Sequence, residues 1–499
     1  MKRICIFLSC LNFSVWATPP SISTPHLPQN PRLLYTLLEK MPKGGDLHYH
    51  LMGGASAEAM IAAGKDGDFC IHTDTFSADH AHPCPGILLS ELPKHPKLYE
   101  KTIEAWTLKN FHAQQETAHD HFFASFFKIF ALVNEHRAEL LAQVMRNAAQ
   151  QHILYLEPMI LPSTPIQTSQ VVHTNSPADF KENTKRLLQD PLFQKSIQET
   201  AQEMNSILPE ARKILGCDSP HPDLACQVQV RFQYHALREQ HLQTLFPQLL
   251  LGFALANQDP EIAGINFVQA EDGPISLSDY TEHMQLFNFL HAQYPSVHIA
   301  LHAGELTPEL VNAKDLQFHI EEAVNIGHAE RIGHGSDIML EKQAEQLAQQ
   351  MAEKNIAVEV LFSSNRILLN LDEHTHPLSF YLKHHVPVVF SSDDEGILRT
   401  NLTQQYVDAV LHFGLDYAEI KQINRNSLTY SFLPGKSIWG NAEKAIPVKE
   451  CQMLESAACQ HFIQESPKAQ LQYKLETELS AFEQMEFSRK NVLSSKKLV

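Results

Sequence analysis

The chain has 499 residues, of which 43% are apolar and 19% charged, with a net charge of −18. That length suits one large barrel with insertions, and that composition excludes intrinsic disorder. The acidic balance excludes a nucleic-acid groove, which needs clustered Lys and Arg.

Residues 1–17 read as a signal peptide. Lys2 and Arg3 precede an apolar stretch from Ile4 to Trp16, and Ala17 offers a small residue at the cut. The charge-then-apolar order favours export over a short buried helix. Cys10 leaves a lipoprotein reading open, although Phe7-Leu8-Ser9-Cys10 is a poor lipobox. No later stretch is apolar enough to span a bilayer, so the expected mature chain is secreted or periplasmic and free of the membrane. It keeps Cys70, Cys84, Cys217, Cys226, Cys451 and Cys459. Proximity suggests Cys70–Cys84 and Cys217–Cys226. Cys451 and Cys459, if they share one helix, stand about 12 Å apart, beyond disulfide reach.

Residues 18–40 form an extension whose leucines predict a helix over 31–40, and the first strand is 45–51. Residues 64–97, rich in Asp, His, Pro and Gly, read as an insertion. Residues 98–151 are helical, and Phe122, Phe123, Phe126, Phe127 and Phe130 read as the core face of an amphipathic helix in preference to a substrate wall. Further strands follow at 153–159, 227–235, 263–269, 297–303, 331–333, 357–362 and 386–392, with a second insertion at 163–226. Strands alternating with helices, eight times over, imply a TIM-type (β/α)8 barrel across 41–436, with its site at the carboxyl ends of the strands. Residues 437–499 read as a helical extension and tail.

The strand ends carry the chemistry: His48 and His50, His302-Ala303-Gly304-Glu305, Gly333-His334-Gly335 and Ser391-Ser392-Asp393-Asp394, with Glu157-Pro158 a lesser member. His48 and His50 are two apart on a strand and face the same side. Two interior imidazoles are costly unless something binds their lone pairs. Three His and one Asp suit Zn²⁺, which lowers the pKa of a bound water toward about 7. A buried Glu305 keeps its proton and can deliver it to a ring nitrogen. His334 is placed to orient or deprotonate the water, and Asp394 to hydrogen-bond substrate. H-E-x-x-H, P-loop and G-x-S-x-G patterns are absent, as is the H-x-E with P-C-x-x-C of cytidine-type deaminases.

Met41-Pro42-Lys43-Gly44-Gly45-Asp46-Leu47-His48-Tyr49-His50, the later strand-end motifs and Asn426-Ser427, in that order, resemble the adenosine deaminase family of zinc amidohydrolases. The opening is similar to that of its secreted branch, the adenosine deaminase-related growth factors, and the resemblance runs over 41–433. It implies one Zn²⁺ on His48, His50, His302 and Asp393, with Glu305 donating to purine N1. His334 would assist the water and Asp394 would share a proton with N7. The implied reaction converts adenosine, and 2′-deoxyadenosine, to inosine and ammonia. The insertion bearing Cys70 and Cys84 resembles the disulfide-bearing loop of the secreted branch. That branch tends to form homodimers through N-terminal helices, for which the segment before Met41 is short. Two positions depart from the family. Met52 stands where the cytosolic enzymes place an Asp on the ribose, leaving the ribose to another residue such as Trp106. Gln269 stands where a Gly donates to purine N3, with Glu271 expected to line the site. The alternatives are another 6-substituted purine or amino-heterocycle at the same metal, or a catalytically silent secreted binding protein.

Overall fold

The computed structural model describes residues 25–113, 116–170, 172 and 177–487; the expected leader and the tail beyond 487 lie outside them. Eight parallel strands build the core: β1 Lys43–His50, β2 Ile153–Ile160, β3 Phe232–Leu237, β4 Ile262–Val268, β5 Ala300–Ala303, β6 Arg331–His334, β7 Ala357–Val360 and β8 Val388–Phe390. Nearly every residue in them is buried, as expected of Val-, Ile- and Leu-rich strands covered on both faces. β1 to β4 pair in order as one sheet, and β5 to β8 as a second. Two bridges join the sheets into a ring, Ile265 to Ile299 and Tyr49 to Asp393. At the first seam the Ile265 N–H donates to the His298 carbonyl at 2.9 Å. At the second, Asp393 N–H donates to His48 at 3.0 Å and His50 N–H donates to Asp393 at 3.1 Å. The architecture is the TIM-type barrel.

Regular pairing in several strands is shorter than expected, as in β8, Val388–Phe390 against 386–392. β5 starts at Ala300, and after β7 the chain turns at once into a helix, Phe362–Leu368. The Asn426-Ser427 region packs on the start of β1. Asn424 Oδ1 accepts from Gly44 N–H and Ser427 Oγ from Gly45 N–H, each at 2.7 Å. A Cβ on Gly44 would lie 2.4 Å from Ser427 Oγ, so no larger residue fits this approach. Across the barrel floor Arg331 bridges Glu157 and Glu359, all three fully buried. Glu157 therefore belongs to this structural ion cluster and not to the strand-end site.

The first insertion forms a small antiparallel sheet, Cys70–Ile71 with Ala78–Asp79 and Ile87–Leu88, stapled by Cys70–Cys84. The second holds the helices Phe180–Leu188 and Pro191–Ile214 and ends at the Cys217–Cys226 disulfide. The region after 437 is not wholly helical. It opens with a hairpin, Trp439–Asn441 against Ile446–Pro447, before the helices Ala457–Gln464 and Pro467–Glu486. Cys451 and Cys459 also pair, with Cα atoms 4.5 Å apart. The expectation that they could not assumed one shared helix. In fact Ser456 caps a new helix at Ala457, and the chain folds back before it.

Candidate active site

His48 and His50 from β1, His302 from β5 and Asp393 just past β8 meet at the carboxyl end of the barrel. His50 Nε2 lies 3.2 Å from His302 Nε2. Asp393 Oδ1 lies 3.4 Å from His50 Nε2 and 3.7 Å from His48 Nε2. Two of the remaining ring nitrogens are anchored from behind: His48 Nδ1–H on Glu359 at 2.7 Å and His302 Nδ1–H on Asn266 Oδ1 at 2.9 Å. Those anchors fix the tautomers so that bare Nε2 lone pairs face inward. Burial, then the neighbouring imidazoles, holds His50 and His302 well below the ordinary imidazole range. Burial also pushes His48 down, but its hydrogen bond to Glu359 and the charges of Glu359, Asp393 and Asp46 outweigh it and raise the net value. The surroundings of His48 thus favour positive charge, and its Nε2 is buried with no hydrogen-bond partner. Three imidazole nitrogens and a carboxylate oxygen converging in a buried site are costly unless a cation takes them. Three imidazoles and one carboxylate suit a Zn²⁺-type ion.

The turn after β5 aims Glu305 into the site. Gly304 adopts φ +74°, and a Cβ there would also sit 2.4 Å from Asp337 Oδ1. Glu271, expected to line the site, is instead buried behind this turn. It accepts from Gly304 N–H at 3.1 Å and Glu305 N–H at 2.8 Å, and pairs with His319 Nδ1 at 2.7 Å. Arg238, 3.6 Å from Glu271, donates onward to the His302 carbonyl. Burial, then the charges of Asp393, Glu271 and Asp272, holds the Glu305 carboxyl well above the ordinary range, which favours its protonated form.

His334 Nε2 lies 3.6 Å from Glu305 Oε1. Its tautomer is set by a relay. Leu378 N–H donates to His376 Nδ1 at 3.1 Å, so the neutral His376 carries its proton on Nε2. Burial pushes His376 down to about 3, which keeps it neutral. That proton goes to Asn365 Oδ1 at 3.2 Å, which turns the Asn365 amide N–H₂ onto His334 Nδ1 at 3.1 Å. Burial likewise holds His334 well below the ordinary range. His334 therefore accepts at Nδ1 and presents an N–H at Nε2 to the cavity. In that tautomer it can orient a water by donating to it.

A cavity of about 310 Å³ opens onto these groups. One end is His50, His302, Glu305, His334, Asp393 and Asp394. Asp394 Oδ1 is buried without a hydrogen-bond partner, and burial, then the charge of Asp393, pushes its carboxyl well above the usual range. The remaining wall includes Met52, Leu161, Leu237 and Val268, together with Phe122, Phe123, Phe126, Phe127 and Phe130 of the helix Ala118–Glu135. These phenylalanines were expected to be core. Phe122 is indeed in the core, with Phe123 and Phe126 packed against it, but all five also line the cavity, and Phe127 is 81% exposed. Gln269 also lines it, at φ +93°, a backbone region that favours glycine. Trp106 takes no part in the lining. It is fully buried, with its indole N–H on the Phe76 carbonyl at 2.7 Å.

Sequence reasoning missed Glu359, Asn266, Asn365 and His376. The first two carried a signal, a polar side chain inside an apolar strand. The last two lie where no spacing pattern marks them.

Comparison with known proteins gives a consistent picture. The family described as adenosine deaminase matches residues 91–440, a span that begins after His48 and His50. An aminodeoxyfutalosine deaminase of Streptomyces coelicolor is 25% identical over 428 residues, covering 83% of this chain and 87% of that protein. The adenosine deaminase of Plasmodium falciparum is 30% identical over 138 residues, covering 28% of this chain. This match spans about a third of the parasite protein, 35% of its length. The crystal structure of an adenine deaminase from Arthrobacter aurescens aligns with a TM-score of 0.51 at 18% identity, over 85% of this chain and 99% of that one, a likeness of fold.

Proposed function

The chain belongs to the adenosine deaminase family, and from that premise we propose that it hydrolyses the 6-amino group of adenosine and 2′-deoxyadenosine to give inosine-type products and ammonia. Members are metal-dependent hydrolases of amidine C–N bonds. His48, His50, His302 and Asp393 would hold a zinc ion, which supplies Lewis acidity and an activated water when bound. Glu305, whose protonated form is favoured, delivers its proton to ring N1 as C6 gains an oxygen. The His334 Nε2–H orients the incoming water. Asp394, whose carboxyl is pushed up by burial and the charge of Asp393, shares a proton with N7 and keeps the ring in plane with Glu305. Arg238 and Glu271 fix the turn that carries Glu305.

One observation carries this reading: His48, His50 and His302 bring ligand nitrogens within 4.8 Å of one another, and His50 and His302 line the same cavity as Glu305. The test is ammonia release from adenosine by purified full-length protein, with metal content measured alongside. Glu305→Gln should lose about 10²–10⁴-fold in kcat with its metal retained. A variant that keeps its rate removes the acid from the mechanism.

A second substrate reading, another 6-aminopurine such as aminodeoxyfutalosine, draws support from the long match to the Streptomyces relative and from Met52 and Gln269 in the cavity wall. We also propose export and membership of the secreted branch. Export rests on the charge-then-apolar N-terminus, the branch on the opening Met41 to His50 and the insertion bearing Cys70 and Cys84, and three disulfides support an oxidising compartment.

A further inference from the structure

We propose that the cavity selects a 6-aminopurine whose N9 substituent ends in an uncharged apolar group, such as an alkylthio or aryl arm, over one ending in a hydroxyl or a phosphate. This rests on the deaminase reading and narrows its substrate class. C6 has to lie at the end formed by His302, Glu305 and Asp393. N9 is on the opposite edge of the bicycle, so its substituent runs toward the other walls. Those walls are chiefly the phenylalanines of the Ala118–Glu135 helix and Met52.

Charge complementarity is missing for an anion. Among the described residues lining the cavity there is no Lys or Arg, and the ionisable groups besides histidine are Glu239, Glu305, Asp393 and Asp394. A phosphate placed there would be desolvated beside carboxyl groups without a cation to pair with. Hydroxyl partners are also scarce. The Glu239 oxygens already accept from Ile275 N–H at 3.0 Å and from the Ser276 N–H and hydroxyl at 2.8 Å each. Gln269 Oε1 already accepts from Glu239 N–H at 2.9 Å, which leaves its amide N–H₂ as a donor on this wall. His235 offers a buried Nδ1 without a partner.

The apolar wall, by contrast, is left partly uncovered by the described residues. Phe127 is 81% exposed and Phe130 46% exposed, on the helix that forms the rim. Such rings gain from contact with an apolar arm and gain nothing from a hydroxyl. One extra apolar group in a hydrophobic pocket is worth about 10-fold or more in discrimination.

The experiment compares kcat/KM of the zinc-loaded full chain for adenosine, 5′-deoxy-5′-methylthioadenosine and adenosine 5′-monophosphate. The thioether is expected to exceed adenosine by about 10-fold, with the monophosphate last. Phe126→Asn and Phe127→Asn should shrink the thioether-to-adenosine ratio. Position 127 is exposed enough that folding is not at stake. Binding to the Glu305→Gln protein, followed by calorimetry, separates the two ideas. Turnover of adenosine with no thioether preference overturns the selectivity and leaves the deaminase intact. No turnover of any compound, with tighter thioether binding retained, overturns the deaminase reading and supports the selectivity. A monophosphate handled as well as the thioether, or no compound bound at all, overturns the selectivity.

Discussion

Replacing Asn365 with Asp tests the histidine relay at one atom. The carboxylate keeps an acceptor for the His376 proton but replaces the amide N–H₂ that faces His334 Nδ1 at 3.1 Å with a second acceptor. His334 must then carry its proton on Nδ1, which leaves a bare lone pair at Nε2, where the wild-type enzyme presents an N–H. Losing one preorganised donor to the reacting oxygen costs about 10²–10³ in kcat, or about 2.7–4 kcal/mol. KM should move little, because His334 acts on the water and not on the purine. The pH dependence has a definite sign. The new carboxylate favours imidazolium, so acidification restores the Nε2 proton and the variant recovers relative to wild type as pH falls. The assay is kcat and KM for ammonia release from about pH 6 to pH 8.5, with ¹⁵N spectra of labelled histidines reporting the tautomer. Two results would refute the relay: a variant within about threefold of wild type at alkaline pH, or wild-type spectra with His334 protonated at Nδ1.

Two further predictions concern stability. Glu271→Gln leaves Arg238, fully buried, without its anionic partner, so urea unfolding should show a loss of about 3–5 kcal/mol; under 1 kcal/mol would mean that the ion pair is not what holds the turn. Glu203 gives an acid limb. Burial pushes its carboxyl up, but hydrogen bonds from Thr164 and Ser163 and the charge of Arg137 outweigh this and bring it down to about 2. A depressed carboxyl contributes stability that is complete above the ordinary value of 4.5 and is lost as pH falls toward about 2. Allowing for solvent screening at this half-buried group, Glu203→Gln should cost about 1–2 kcal/mol at neutral pH, with the gap closing on acidification. A gap that stays constant with pH excludes the linkage.

Period and strand-end chemistry made much of the site legible in the sequence. Two histidines at i and i+2 in an apolar run must share a face, and a Glu three residues past a third His must share its turn. Other residues were not legible, for specific reasons. The phenylalanine spacing identifies one apolar face of a helix but not what covers it, so a cavity wall and a core face read alike. Cys451 and Cys459 are eight apart, and whether they can bond depends on where a helix starts, which Ser456 decides. Trp106 was assigned by elimination, and a buried indole N–H satisfied by a backbone carbonyl leaves no trace in the chain. Asn365 and His376 act through the orientation of one amide, which only three-dimensional hydrogen bonding defines.

Barrel closure and the candidate metal site are the same piece of structure. The seam between β8 and β1 is made by the backbone of Asp393, which donates to His48 and accepts from His50, two of the ligands it joins in space. Asp393 sits at φ +66°, a left-handed conformation that costs free energy for a residue other than glycine. That strain turns its carboxylate inward, 3.4 Å from His50 Nε2, while its peptide groups complete the ring. The same residue thus stores strain, closes the sheet and offers the one anionic ligand. It follows that a cation on these four side chains ties the last strand to the first, so binding it stabilises the fold as well as the site. Stripping the metal should therefore lower the unfolding temperature of the whole barrel in a single transition. A site that empties without moving that transition would separate the seam from the ligands.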